Sequence, residues 1–167
     1  MRPFAALLWP WLAAAALLAG CDQRRIERLE AGVSTEAEVR KEFGEPVLVV
    51  EKADGSKVLS YPRQPEGSTN VEVRIGTDGR MSSLRQQLTP ENFALVQPGL
   101  TQDEVRGLLG RHAKTHRYAR EPDQEVWEWR FIAGQDKKVF RVTFDREGRV
   151  LATAIQDDER QSMAGGR

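Results

Sequence analysis

The 167-residue sequence predicts an α+β fold: two tandem helix–helix–antiparallel-strand units, with the helices packed on one face of an antiparallel sheet of about eight strands. Three observations lead there. One stretch is written twice without a gap, as "TEAEVRKEFGEP" from Thr35 and "TQDEVRGLLGRH" from Thr101. Behind each copy lie segments in which apolar and polar residues alternate, the period of a half-buried strand. Between those segments stand the turn pairs Asp54-Gly55, Asp78-Gly79 and Glu147-Gly148, the residue types that close hairpins.

The helices come first in each copy. Thr35 and Thr101 are expected N-caps, and Glu38 and Glu104, three residues on, can reach back to complete a capping box. Val39 and Phe43, then Val105 and Leu109, stand four apart and give each helix one apolar stripe. Gly44 and Gly110 suit the stop position, and Pro90 behind Thr89 opens a further helix. "VLVVEK" and "KVLSYP" form the first expected hairpin, "VEVRI" and "MSSLRQ" the second. "EVWEWRF" and "KVFRVTF" are the strongest strands of the second copy. The loop "PRQPEGS" at 62–68 reads as flexible by composition. The divisions follow: 1–20 a signal segment, 21–25 a tether, 26–88 the first unit, 89–156 the second and 157–167 a mobile tail.

Composition bounds the function. Lys plus Arg and Asp plus Glu number 25 each, with no long basic stripe, so nucleic acid is not an expected partner. Arg2 followed by the uncharged run "FAALLWPWLAAAALLAG" has the layout of a secretory signal, and Pro10 in its middle argues against a spanning helix. The chain's one cysteine ends that run and cannot form an internal disulfide. Leu18-Ala19-Gly20-Cys21 resembles the lipobox of bacterial lipoproteins. That resemblance implies diacylglycerol on the Cys21 sulfur, cleavage before it and a mature chain held to membrane lipid. It places the protein facing the periplasm. Asp22 resembles the inner-membrane retention signal of enteric lipoproteins and keeps that membrane open beside the outer one.

The doubled stretch has a likeness of its own. A helix pair leading into Gly, Thr, Glu-Val and a closing Gly, followed by antiparallel strands, resembles the BamE (SmpA/OmlA) domain of outer-membrane assembly lipoproteins. Gly32, Val39, Phe43, Gly44, Glu45 and Pro46 carry it in the first copy, and Gly99, Leu100, Thr101, Val105, Leu108, Leu109 and Gly110 in the second. Tandem units of this shape also resemble secreted β-lactamase inhibitor proteins. The resemblance implies a scaffold in outer-membrane protein assembly or envelope maintenance, partnered by envelope or assembly proteins and favouring the outer membrane. An inhibitor or sensor that captures another envelope protein is the second expectation.

Candidate residues follow from the strand faces. Trp127, Trp129 and Phe131 point one way, with Phe140, Val142 and Phe144; the aromatic pair reads as core before it reads as partner anchors. The opposite face carries Glu72, Arg74, Glu128, Arg130 and Arg141, either a partner-binding surface or a solvated one with weak ion pairs. His112 and His116 have helical metal-pair spacing but follow the helix-ending Gly110, so a strand start is the stronger reading. No nucleophile elbow or phosphate-binding loop is present. The expectation is a non-catalytic protein that needs no cofactor and no metal.

Overall fold

In the computed structural model, residues 25–159 are described; Cys21, the signal segment and residues 160–167 lie outside them. Helix α1 spans Glu36–Phe43, α2 Pro90–Ala94 and α3 Gln102–Leu109. Both capping boxes form. Thr35 Oγ1 accepts the Glu38 N–H at 3.3 Å while Glu38 Oε2 accepts the Thr35 N–H at 2.8 Å. Thr101 and Glu104 repeat the exchange at 3.3 and 2.7 Å. Each box satisfies two donors that a helix start leaves without intrahelical partners. The glutamates' carboxyls sit below the ordinary range because the cap N–H binds the charged form, with the threonine hydroxyl adding to it.

Eight strands follow, but not as one sheet. Strands β1 Leu48–Glu51, β2 Lys57–Pro62, β3 Asn70–Ile75 and β4 Met81–Gln86 pair in that order, all antiparallel. Strands β5 Lys114–Tyr118, β6 Glu121–Ala133, β7 Asp136–Phe144 and β8 Val150–Asp157 make a separate four-stranded sheet in the order β5-β6-β7-β8. The expected layout, tandem units sharing one eight-stranded sheet with helices along one face, is therefore overturned. Strands dominate, and the described helices are short, two of eight residues and one of five. Part of the physical reason lies at the β4 edge. The Gly32 N–H donates to Met81 O at 2.8 Å, the Met81 N–H to Ser34 O at 2.7 Å and the Glu36 N–H to Gly79 O at 3.1 Å. The segment entering α1 thus takes both backbone groups of Met81 at the start of β4. The Gly99 and Gln102 N–H groups take Val150 O and Gly148 O at 2.8 and 3.1 Å in the second half.

Each sheet has its own core. Val39 and Phe43 of α1 are buried with Leu59, Tyr61, Val71, Val73, Ile75 and Met81. Burial pushes the Tyr61 phenol up to about 12. Phe93, Val105 and Leu109 are buried with Trp127, Trp129, Phe131, Phe140, Val142 and Phe144, and Phe93 stacks on Phe140 with ring centroids 4.3 Å apart. The two tryptophans are thus core residues, 3% and 0% exposed.

Two polar joints tie the halves together. Asn70, 1% exposed at the start of β3, donates through Nδ2 to Leu109 O at 2.7 Å and Arg111 O at 2.8 Å. Trp129 Nε1 donates to the carbonyl between them, Gly110 O, at 3.2 Å. Three successive carbonyls at the end of α3 are thereby satisfied from outside the helix, where the chain leaves such groups orphaned. Gly110 lies at φ 71°, and a Cβ there would come within 2.5 Å of Gln87 Oε1 and 3.1 Å of Asn70 Nδ2. The second joint pins the 62–68 loop, which composition marks as flexible. Gln64 Nε2 donates to Arg130 O at 2.8 Å and Gln64 Oε1 accepts the Arg130 N–H at 3.3 Å, a side chain mimicking a strand partner.

Asn70→Ala leaves the buried Leu109 carbonyl and the part-buried Arg111 carbonyl without this donor and should cost about 1–3 kcal/mol of unfolding free energy in urea titrations. Asn70→Asp keeps the shape but aims a carboxylate at two carbonyl oxygens, so its folded-state pKa rises above the unfolded value. Stability of that variant should fall as pH climbs from about 4, because the folded state holds the proton longer. Glycine substitutions in α3 should split by position. Gly107→Ala meets open space and should stabilise by roughly 0.5–1 kcal/mol, whereas Gly110→Ala should destabilise; thermal melts of the two variants check the contrast.

Candidate functional site

The alternation in β2 and β3 sorts side chains to two faces. Leu59, Tyr61, Val71, Val73 and Ile75 go to the α1 core. Val58, Ser60, Glu72 and Arg74 go to the other side and floor a cleft of about 920 Å³. Its far wall belongs to the second half. Because Val105 and Leu109 turn α3 toward the second core, Asp103, Arg106 and Gly107 are left to face the cleft. The Asn70 joint holds the end of α3 against the first sheet, so it also sets the position of that wall.

Among the charged residues of the lining, cations prevail. Lys52, Lys57, Arg74, Arg85, Arg106 and Arg111 outnumber Asp54, Glu72 and Asp103 two to one, on a chain whose formal charge is zero. One carboxylate serves two guanidiniums on the floor: Glu72 Oε1 accepts from Arg74 Nε at 3.1 Å and Arg85 Nη2 at 3.2 Å. On the wall, Arg106 pairs with Asp103 at 2.8 Å and lies 4.8 Å over the Trp127 ring. His112 stacks on that tryptophan's ring, centroids 4.3 Å apart, with Nε2 3.0 Å from Thr115 Oγ1. Burial holds the His112 pKa below its ordinary value, and Arg106 adds to the effect, so the ring is neutral at neutral pH. Exposed ion pairs of this kind contribute about 0.2–1 kcal/mol each, so the floor and wall charges set a field more than they hold the fold.

The near rim is apolar. β1 is exposed along its whole length, and Val47, Leu48 and Val50 border the cleft at 66%, 56% and 37% exposure. These are four consecutive apolar residues with Val49, where an edge strand ordinarily carries charge or proline.

The five charged residues expected on one face occupy three settings. Glu72 and Arg74 line the cleft floor. Glu128 and Arg141 lie on the second sheet, where Glu128 Oε1 receives Arg141 Nε at 2.6 Å and stands 2.9 Å from His116 Nε2. Burial pushes the Glu128 carboxyl upward, but the His116 and Arg141 contacts outweigh it and leave the group below the ordinary carboxylate range. Arg130 belongs to the second joint, donating through Nη1 to Pro65 O at 2.8 Å and pairing with Asp158 at 3.3 Å. Cys21 lies outside the described residues. His112 and His116 go to different surroundings, and among the described residues no group of three His, Cys, Asp or Glu is placed to hold a metal. Arg106 and Arg111 escape a reading by strand faces, because the cleft is built from two halves that are distant in sequence; Arg85 stands opposite Glu72 on β4, beyond a register shift that breaks simple alternation there. The unbroken apolar run "VLVV" was the available signal for the exposed rim.

No protein-family model matches the chain, and no curated protein matches it. Among solved structures it is similar to a putative osmotically inducible lipoprotein, OsmE, at 18% identity over 45% of this chain and 86% of that one, with a TM-score of 0.37. It is also similar to a DUF4309 family protein, YjgB, from Bacillus subtilis, at 16% identity over 78% of this chain and 82% of that one, TM-score 0.30. An extracellular protein of Bacillus anthracis containing an SCP domain matches at 11% identity over 82% of this chain and 47% of that one, TM-score 0.30. Likenesses this distant carry no argument about function, which rests on the chain's own residues.

Proposed function

We propose that the chain is a lipid-anchored envelope protein facing the periplasm, with a non-catalytic binding role in outer-membrane protein assembly or envelope maintenance. The observation that carries this reading is the sequence Leu18-Ala19-Gly20-Cys21 at the end of an uncharged signal-like run. Acylation at Cys21 would hold the domain at a bilayer, since two or more chains give stable anchoring where one gives only marginal binding. A tether of this kind would hold the domain at high effective concentration for membrane-bound partners. The outer membrane is favoured, with the inner membrane as the alternative that Asp22 raises. Capture of another envelope protein, as inhibitor or sensor, is the second reading, supported by the cation-rich cleft.

Mass spectrometry of the membrane-extracted protein is expected to find an N-terminal Cys21 carrying diacylglycerol. Cys21→Ser should move the protein from the membrane pellet to the soluble fraction, and mild crosslinking should recover envelope proteins with the wild type. An unmodified thiol at position 21, or a wild type as soluble as the variant, would remove the reading.

A further inference from the structure

The first sheet ends on a strand that offers both backbone and apolar side chains. Lys52 N donates to Ser56 O at 2.8 Å to close the β1–β2 hairpin. Bonded positions alternate along an antiparallel pair, so Leu48 and Val50 turn their N–H and C=O toward β2, opposite Ser60 and Val58. Val49 and Glu51 therefore point theirs outward. β1 is the end strand of its sheet, and among the described residues no strand pairs with that outer edge. Edges are ordinarily blunted by charge, proline or a covering segment; here Val47 to Val50 are apolar and exposed. The same strand borders the cleft through Leu48 and Val50, and Lys52, the residue just after it, brings a cation there.

We infer that β1 is a docking edge for an extended, acidic segment of a partner protein, which adds as a further strand to the first sheet. Its backbone bonds to Val49 and Glu51, and its alternate side chains lie beside Leu48, Val50 and Lys52 at the mouth of the cleft. Backbone bonding supplies affinity in strand addition, while alternate side chains select the sequence. The two-to-one excess of cations over carboxylates in the cleft supplies that selection, because a recess with charge mainly of one sign favours the opposite one and disfavours its own. This inference rests on the binding role proposed above and gives that role a place and a partner chemistry.

The test uses the full chain in mild detergent with two end-blocked octapeptides, one alternating Val and Glu and the other alternating Val and Lys. Amide hydrogen exchange by NMR reads the edge directly. The Val-Glu peptide should slow exchange at Val49 and Glu51 at least tenfold and leave the Leu48 and Val50 amides nearly unchanged. Val49→Pro removes an outward N–H that the sheet does not use and should abolish binding. The double reversal Arg74→Glu with Arg106→Glu should weaken binding at least tenfold with the strand registers intact. Three results would overturn the inference: no protection at Val49 and Glu51, equal binding of the Val-Lys peptide, or amides already protected in a β1-paired dimer without peptide. Binding of phosphatidylglycerol vesicles at the cleft cations in place of the peptide would also overturn it, in favour of lipid. None of these outcomes bears on the mass at position 21, so the anchor reading stands or falls separately.

Discussion

Asn70 is a buried side chain through which one half of the molecule holds the end of a helix in the other. Its amide nitrogen spends both hydrogens on the carbonyls that follow α3, at 2.7 and 2.8 Å, and the Trp129 indole takes the carbonyl in between. Helix ends leave such carbonyls orphaned, and burying them without donors costs about 1–3 kcal/mol each. The orientation of the amide is settled by the same contacts, since only its nitrogen can donate to both. Gly110 is required between them by its φ of 71° and because a Cβ there would stand 2.5 Å from Gln87 Oε1. Move this joint and α3 no longer stands over the first sheet, and the cleft loses its wall.

The second joint works by different chemistry toward the same end. Gln64 bonds both ways to the backbone of Arg130, while the Arg130 guanidinium reaches Pro65 O and Asp158. A loop and a strand more than sixty residues apart in sequence are thereby joined. The role of both joints is to fix how two independently cored sheets meet, and polar contacts serve that end because their geometry is specific while hydrophobic burial is not.

Local features were legible in the sequence and distant ones were not. The two capping boxes, the Pro90 helix start and the hairpin turns all depend on residues a few positions apart, and each forms where its residue types require. The division into two sheets is not local: it depends on which strand edges are paired, and residues 32–36 meet the start of β4 from some forty-five residues away. Alternation predicts a strand and its two faces; it does not say which edge is taken. The same limit explains Glu72 and Glu128. Both sit on the polar side of a strong strand, yet Glu72 floors an open cleft while Glu128 is buried against His116 and Arg141. Nothing local in the sequence marks Asn70, since its partners Leu109 and Arg111 lie about forty residues on.

Hydrogen exchange of the Asn70 side-chain amide, resolved by NMR, tests the central claim most directly. With both hydrogens held by α3 carbonyls, the pair should exchange as slowly as core backbone amides and show through-space contacts to Gly110 and Arg111. Rapid exchange at the rate of an exposed asparagine, with no contact to those residues, would contradict the account and leave the cleft without a fixed wall.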